Sequence, residues 1–194
     1  MKFSELNLPN KLTLLRLLLV PIVMVFILYP ELTGESVVLQ AVVCTVLFIV
    51  TAITDFIDGK IARSRNLITD FGKFMDPIAD KFMVIGTLLC ITVANEVLRP
   101  FMVWVDIIVI FRELAVTSMR LIVSNTSGTV VAASWLGKCK TMTQSVSICI
   151  FLVEGAIWDG WILSYLGMAA TAILTLWSGI EYFKSYWKFI DPSK

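Results

Sequence analysis

Long apolar runs dominate this sequence, and each is about the length that a helix needs to cross a lipid bilayer. A helix requires about 20 apolar residues to span the hydrocarbon core. Six runs meet this requirement: 11–29, 36–58, 74–95, 100–123, 136–157 and 160–183. The polar segments between them are short, so the chain of 194 residues has little left for a soluble domain. The pattern predicts an all-α membrane protein, with six transmembrane helices in a single domain, 1–194.

Composition supports this interpretation and excludes several kinds of chemistry. Hydrophobic residues make up 58% of the chain and charged residues 16%, with a mean hydropathy of +0.86. The formal net charge of +1 gives no field that would attract nucleic acid. The chain has no histidine, which excludes histidine triads and histidine metal ligands, and its four cysteines form no C-x-x-C pair. Any acid–base or metal chemistry must therefore rest on carboxylates.

The distribution of basic residues predicts how the chain is oriented in the membrane. With six spans, both ends lie on the same side, and that side carries all but one of the 16 lysine and arginine residues. Because such residues concentrate in cytoplasmic loops, both termini are expected in the cytoplasm. The polar first ten residues and the long apolar run after them do not have the form of a cleaved signal peptide. The N-terminus is therefore expected to be retained.

Four aspartates lie where the second and third runs approach the cytoplasm. Asp55 and Asp58 are three residues apart and Asp76 and Asp80 are four apart, and each spacing places two carboxylates on one helix face. Acidic side chains within a membrane are costly and usually mark an ion path, a relay or a metal site. Oxygen ligands favour Mg²⁺ or Mn²⁺, and two such ions about 3.5–4 Å apart suit displacement at phosphorus.

Each aspartate taken alone also has a structural interpretation. Asp76, which precedes Pro77, could be a helix N-cap. Asp55 and Asp58 could pair with basic residues near them in the sequence, and Gly72 could be an ordinary loop residue. The joint spacing of four carboxylates favours a shared site over four unrelated structural roles.

The segment from Asp55 to Asp80 resembles the signature of the CDP-alcohol phosphotransferase family. It matches the pattern D-x-x-D-G-x-x-A-R-x8-G-x3-D-x3-D at every fixed position. The resemblance implies that family's fold and the transfer of a phosphatidyl group from CDP-diacylglycerol to an alcohol, with CMP as the leaving group. It also implies two divalent ions and a base that takes the proton of the alcohol. The implied metal ligands are Asp55, Asp58, Asp76 and Asp80, and Asp80 is also the implied base.

The same segment supplies the expected contacts of the nucleotide donor. Gly59 and Ala62 have little or no side chain, so a nucleotide could approach the helix closely there. Arg63 could pair with a diphosphate oxygen. The full set of expected CDP-diacylglycerol contacts, including two residues near the N-terminus, is Asn10, Thr13, Asp58, Gly59, Ala62, Arg63 and Gly72.

The two residues near the N-terminus come from a second resemblance. The sequence from Pro9 to Arg16 is similar to the P-N-x-L-T-x-x-R opening of bacterial family members that use glycerol 3-phosphate as the acceptor. In those proteins the opening lies close to the nucleotide, which implies contacts from Asn10 and Thr13. The alternative is a simple helix start, with Asn10 as the N-cap and with Lys11 and Arg16 as anchors in the membrane interface.

Basic residues in the second half of the chain are the expected acceptor site. An R-E pair beginning at Arg112 and the G-K-x-K-T segment containing Lys138 and Lys140 resemble segments of the same family members. Arg112 and Arg120 are about 80° apart around a helix, so both could face one pocket. Together the four residues could bind the phosphate of glycerol 3-phosphate. An alternative within the same family keeps the aspartates and uses inositol phosphate, serine or phosphatidylglycerol as the acceptor.

These basic residues could also have structural roles. Arg112 could pair with Glu113 or Asp106, and Lys138 and Lys140 could anchor their helix in anionic headgroups.

Two other classes of protein are disfavoured. A divalent-cation transporter is expected to hold its acids near the midplane of the membrane, whereas these lie toward one face. A purely structural scaffold leaves the carboxylates without a role. The resemblance further implies a homodimer in the cell membrane, with a site that faces the cytoplasm and admits the lipid donor from the bilayer.

Overall fold

Six long helices account for most of the described part of the chain, which in this computed structural model comprises residues 7–34, 36–64, 69–127, 134–158 and 160–187. No strand occurs within these ranges, so the all-α prediction is confirmed for them. A short 3-10 helix, Pro30–Thr33, follows the first long helix. The long helices are α1 (Leu8–Leu28), α2 (Val37–Ser64), α3 (Asp70–Ala94), α4 (Arg99–Ser127), α5 (Trp135–Ile157) and α6 (Ile162–Tyr186).

Within the described ranges, four of these helices are long and apolar enough to cross a membrane. They are α1, the part Val37–Ile61 of α2, α3 and α6. The other two, α4 and α5, carry charged or polar side chains along the stretches that were expected to cross. The structure thus supports a membrane protein with several spanning helices, and composition identifies four of the six expected spans.

The bundle has an apolar exterior and polar groups in its interior. Leu18, Trp104 and Leu166 on the outer faces are 68%, 66% and 64% exposed, whereas Thr171 and Ser178 inside the bundle are 0% exposed. Small polar residues at helix contacts are typical of membrane proteins, because they permit close approach and hydrogen bonds between helices. This arrangement fits a lipid environment.

The helices around the predicted site extend further than the sequence indicated. The apolar runs 36–58 and 74–95 leave 59–73 as one of the short polar segments between spans, but α2 continues through Ser64 and α3 begins at Asp70. The N-cap of α3 is Thr69, whose hydroxyl accepts a hydrogen bond of 3.1 Å from the backbone N–H of Gly72. Asp76 lies in the second turn, so its interpretation as an N-cap is wrong.

A similar correction applies at the start of α1. Asn7, and not Asn10, is the N-cap, because its side chain accepts a hydrogen bond of 3.0 Å from the backbone N–H of Asn10. The side chain of Asn10 is therefore available for contacts with another helix.

Packing divides the helices into two groups. α1 contacts α2 and α3, whereas α6 contacts α4 and α5, and the two groups meet through α2 with α5 and through α3 with α4. A buried apolar core runs across both groups and includes Val20, Phe48, Ile91, Met102 and Ile148. The predicted aspartates lie in the first group and the predicted phosphate-binding residues in the second.

Candidate active site

Two aspartates from different helices converge on one buried arginine. Nη1 of Arg16 lies 2.6 Å from Oδ1 of Asp55 on α2 and 2.5 Å from Oδ1 of Asp80 on α3. The arginine side chain is 0% exposed, whereas the side chains of Asp55 and Asp80 are 43% and 51% exposed. The cation thus lies behind the carboxylates, which remain accessible on the opposite side. We call Asp55, Asp76, Asp80 and their contacts from α1 the aspartate site.

Three polar residues of α1 support this site. Asn10, Thr13 and Arg16 are spaced three apart, so they share one helix face, and all three are buried. The hydroxyl of Thr13 donates a hydrogen bond of 2.7 Å to Oδ1 of Asp76. The Asn10 amide donates one of 2.9 Å to the hydroxyl of Thr69, the N-cap of α3. We call Asn10, Thr13 and Arg16 the polar row of α1; it fixes α1 against α3.

Arg16 is the site residue that the sequence interpretation missed. From the sequence it was given no role in the site and was considered only, in an alternative interpretation, as an interfacial anchor, but it is buried and paired with two carboxylates. An arginine inside an apolar run needs a partner, and its spacing from Asn10 and Thr13 places it on the same face. These two signals could have identified it.

Gly72 has a clear structural reason to be glycine. A Cβ atom there would lie 3.0 Å from Oδ1 of Asn10 and 3.7 Å from Oδ2 of Asp76. A larger residue would therefore require the side chain of Asn10 to shift beside the aspartates. The contact with Asn10 places Gly72 next to the site, and a contact with nucleotide remains a prediction.

Four of the predicted donor contacts lie on α2. The structure describes the backbone of Asp58, Ala62 and Arg63, which is helical. Their side chains lie outside the described part. Gly59 is half-buried on the same helix. Counted from Asp55, these four positions are three, four, seven and eight residues further on, so all five share one face of α2.

The donor atoms of the aspartate site are of the kind that hard divalent cations prefer. They are carboxylate oxygens, the ligands that suit Mg²⁺ and Mn²⁺. The two oxygens that contact Arg16 share one nitrogen, so they lie no more than about 5 Å apart. Among the described residues, no three carboxylate or thiol groups are gathered closely enough to hold an ion. The chemistry and convergence of the aspartates nevertheless fit a divalent cation, with Asp58 outside the described side chains.

A second group of charged residues lies between α4, α5 and α6. Glu113 Oε1 is 2.9 Å from Nη1 of Arg112 and 2.6 Å from Nζ of Lys140. The side chains of Arg112 and Lys140 are only 11% and 6% exposed. Nε of Arg112 also donates a hydrogen bond of 3.2 Å to the hydroxyl of Ser178 on α6. This ion pair confirms Glu113, one of the two partners that the sequence analysis offered for Arg112. We call Arg112, Glu113, Lys140 and their neighbours the basic cluster.

The remaining two predicted acceptor residues lie at the edge of this cluster. The guanidinium groups of Arg112 and Arg120 are each 5.8 Å from the ring centroid of Tyr182, so both arginines approach one side chain. Lys138 is exposed, whereas Lys140 is buried, so headgroup anchoring does not describe Lys140. Lys140 lies on α5, which contacts α3, the helix that carries Asp76 and Asp80. The basic cluster therefore adjoins a helix of the aspartate site.

Asp106, the other proposed partner of Arg112, lies elsewhere. Its Oδ2 accepts a hydrogen bond of 2.7 Å from the hydroxyl of Thr92 on α3. That pair joins α3 to α4 and is separate from the basic cluster.

Comparison with known proteins identifies the family. A family model described as CDP-alcohol phosphatidyltransferase matches residues 6–177. A Bacillus subtilis protein named CDP-diacylglycerol–glycerol-3-phosphate 3-phosphatidyltransferase is 38% identical, with 96% of this chain and 98% of that relative covered. A Mycobacterium tuberculosis protein named probable phosphatidylglycerophosphate synthase is 36% identical, with 91% and 79% covered. A Salmonella choleraesuis protein with the same name as the Bacillus relative is 34% identical, with 92% and 93% covered. The chain belongs to the CDP-alcohol phosphatidyltransferase family.

Proposed function

We propose that this protein transfers the phosphatidyl group of CDP-diacylglycerol to glycerol 3-phosphate, forming phosphatidylglycerophosphate and CMP. The observation that carries the proposal is the convergence of Asp55 and Asp80 on the buried Arg16, with both carboxylates accessible. This geometry occurs in a chain that is 38% identical to a relative named for the reaction. The reaction makes an anionic phospholipid in the membrane.

The proposed step is a direct displacement at phosphorus. An oxygen of the alcohol forms a bond to the phosphorus that carries the diacylglycerol, and the bond from that phosphorus to the bridging oxygen of CMP breaks. Asp80 accepts the proton of the attacking hydroxyl. Its half-exposed side chain is accessible to substrate, and its contact with Arg16 holds its orientation.

The aspartates would hold two divalent cations, Mg²⁺ or Mn²⁺, with Asp55, Asp58, Asp76 and Asp80 as the ligands. When bound, such ions neutralise phosphate charge and stabilise the attacking and leaving oxygens. The polar row of α1 orients the ligands from behind, because Arg16 contacts Asp55 and Asp80 while Thr13 contacts Asp76. Preorganised ligands of this kind lose little free energy to rearrangement during the reaction.

The donor nucleotide is proposed to lie along the face of α2 that carries Asp55. Because α2 remains helical through Ser64, positions 59, 62 and 63 fall on the same face as Asp55, and the small residues Gly59 and Ala62 would let a nucleotide approach this face closely. The polar row of α1 and Gly72 border this surface from the other side. The proposed donor contacts are Asn10, Thr13, Asp58, Gly59, Ala62, Arg63 and Gly72.

The basic cluster is proposed to bind the phosphate of the acceptor. Buried cations interact strongly with phosphate because little water screens them, and Arg112 offers a planar set of donors. The helix of Lys140 contacts α3, which carries Asp76 and Asp80, and this supports an acceptor position from which the donor phosphorus can be reached. Arg120 and Lys138 would complete the positive charge at the edge of the cluster.

The proposed setting is a cell membrane with six spanning helices and both termini in the cytoplasm. The exposed apolar side chains on the outer faces of the bundle support contact with lipid. The excess of basic residues on one side supports a site that faces the cytoplasm. A homodimer, as in other members of the family, is part of the same proposal.

An acceptor screen tests the proposed substrate. Purified protein in detergent is given CDP-diacylglycerol and Mg²⁺ with glycerol 3-phosphate, serine, inositol phosphate or phosphatidylglycerol, and the lipid products are identified by mass spectrometry. We expect phosphatidylglycerophosphate to form with glycerol 3-phosphate at a far higher rate than any other product. Preferential transfer to another alcohol would retain the family chemistry and overturn the proposed acceptor.

A further inference from the structure

Two fully buried polar side chains lie in the contact between α5 and α6. Gln144 and Thr175 are each 0% exposed. The amide nitrogen and oxygen of Gln144 and the hydroxyl of Thr175 have no hydrogen-bond partner within the described ranges. Buried polar groups are normally hydrogen-bonded, and an amide with neither atom paired is unusual. The two side chains therefore indicate a site for a polar ligand.

The register of the two helices places these residues at the same level. α5 and α6 are consecutive helices joined by a short connection, so they run in opposite directions. The hydroxyl of Thr171 on α6 donates a hydrogen bond of 3.2 Å to that of Ser147 on α5. Moving three residues back along α5 and four residues forward along α6 brings Gln144 opposite Thr175.

This pair lies directly beside the basic cluster. Gln144 is one helical turn after Lys140, on the same face of α5. Ser178 donates a hydrogen bond of 3.1 Å to the backbone carbonyl of Thr175 and accepts one of 3.2 Å from Arg112. One turn is about 5.4 Å, so a ligand that contacts both the cluster and the pair must carry a second polar group about one turn away from its phosphate. Lys140 is itself only 4% exposed, so Lys140 and the pair are all shielded from solvent.

We propose that Gln144 and Thr175 bind a hydroxyl group of the acceptor and so select a polyol phosphate. A hydroxyl both donates and accepts hydrogen bonds, which matches an amide with an unpaired donor and an unpaired acceptor. Neither residue is charged, so the pair suits a neutral group better than a second phosphate. This proposal rests on the proposed function: the basic cluster holds the acceptor phosphate and the pair holds the hydroxyl that does not react.

The test compares two acceptors that differ by one hydroxyl. 3-Hydroxypropyl phosphate keeps the phosphate and the terminal hydroxyl of glycerol 3-phosphate but lacks the middle hydroxyl. We expect the wild-type protein to prefer glycerol 3-phosphate by at least about tenfold in kcat/KM, because buried polar groups reject a ligand that leaves them unpaired. Gln144→Met and Thr175→Val are each expected to bring this ratio close to one, while the rate with 3-hydroxypropyl phosphate stays within about twofold.

A matched control removes a glutamine at another place in the bundle. Gln40 donates hydrogen bonds of 3.0 and 3.3 Å to the backbone carbonyls of Phe26 and Ile27. Gln40→Met is expected to keep the wild-type preference. If Gln144→Met does not yield a monodisperse protein, the test relies on Thr175→Val, which replaces one hydroxyl by a methyl group of similar size.

The outcomes separate this inference from the proposed function. An unchanged preference in the folded variants, or an equal loss with both acceptors, would overturn the role of the pair while phosphatidyl transfer to glycerol 3-phosphate still stood. A wild-type protein that turns over both acceptors equally would also overturn it. A wild-type protein that uses a different alcohol and not glycerol 3-phosphate would overturn the proposed function and this inference with it.

Discussion

The aspartate site and the basic cluster differ in which charged groups are buried and which are exposed. In the aspartate site one fully buried cation, Arg16, lies behind two carboxylates that are 43% and 51% exposed. In the basic cluster one acid, Glu113, lies between Arg112 and Lys140, whose side chains are 11% and 6% exposed. The first region thus presents negative charge outward, whereas the second holds its positive charge inside, where Glu113 offsets only part of it.

This difference indicates that the two regions have separate roles, one in the chemical step and one in binding the acceptor. Accessible carboxylates with a fixed rear support are suited to hold cations and to take a proton at the reacting phosphorus. Buried cations paired with a carboxylate are suited to exchange that carboxylate for the phosphate of an acceptor. Changes in the aspartate site should therefore lower kcat, whereas changes in the basic cluster should raise the KM for glycerol 3-phosphate.

The largest effect is expected at the carboxylates. Asp55→Asn removes a proposed metal ligand and one partner of Arg16, and we expect kcat to fall by about 10³-fold, measured as CMP release at saturating substrates. The matched control is Asp70→Asn, since Asp70 on α3 has a fully exposed side chain that pairs with Lys73 in its own first turn. That control should stay within about twofold of wild type. A folded Asp55→Asn protein with near-normal kcat would remove this residue from the site.

The next largest effect is expected at the support behind the carboxylates. Arg16→Met should lower kcat by about 10²-fold, because displaced catalytic groups lose effective alignment. The KM for glycerol 3-phosphate should change little. Arg99→Met is the control, since Arg99 bonds the backbone carbonyls of Thr92 and Val93 at the end of α3 far from the aspartates.

Arg16→Lys distinguishes support from anchoring. If Arg16 were an interfacial anchor, lysine could take its place. The guanidinium contacts Asp55 and Asp80 through one nitrogen, and the ammonium group of a lysine has a different geometry and reach, so we expect Arg16→Lys to lose activity. Wild-type kcat in Arg16→Lys would contradict the role given to this residue.

In the basic cluster we expect a change of KM. Lys140→Met should raise the KM for glycerol 3-phosphate by about 10- to 10²-fold, the range expected for losing a hydrogen bond to a charged group. Lys138→Met, two residues away and exposed, should raise it by only about threefold. Steady-state kinetics over a range of acceptor concentrations separate the two parameters. A fall in kcat at unchanged KM would show that Lys140 acts in the chemical step, as the aspartates do. It would contradict the separate binding role given to the basic cluster.

The smallest effect is expected at Thr13. Thr13→Val removes the hydrogen bond to Asp76 but keeps the shape of the side chain, and we expect kcat to fall about fivefold, equivalent to ~1 kcal/mol. Thr51→Val is the control, since the hydroxyl of Thr51 donates its hydrogen bond to the backbone carbonyl of Leu47 in its own helix. Equal effects of the two substitutions would show that the contact with Asp76 has no separate role.

The approach of Asp55 and Asp80 to one another was predictable because it depends on residues that are close together in the chain. The spacing from Asp55 to Asp80 fixes which carboxylates share a helix face, and two consecutive helices bring them together. The bounds of the helices were less predictable. The segment 59–73 is polar enough to be a loop, but helix ends depend on tertiary contacts such as that between Asn10 and Thr69.

The residues that support the site could be identified only from the fold. Arg16 lies in an apolar run, and only the packing of α1 against α2 and α3 shows which carboxylates it contacts. Gln144 gave no signal at all, since a single glutamine in a helix is ordinary until its burial is known. The basic cluster lies between these cases. The sequence identified its cations and offered Glu113 as a partner, but the contact of Glu113 with Lys140 joins residues 27 apart.

The proposed mechanism rests on acceptor-dependent displacement with Asp80 as the base. CMP release from CDP-diacylglycerol should be measured for purified wild-type protein and Asp80→Asn, in detergent with Mg²⁺, with and without glycerol 3-phosphate. We predict release in the wild type that requires glycerol 3-phosphate and a near-complete loss in the folded variant. Release without any acceptor, or undiminished release in Asp80→Asn, would contradict the mechanism.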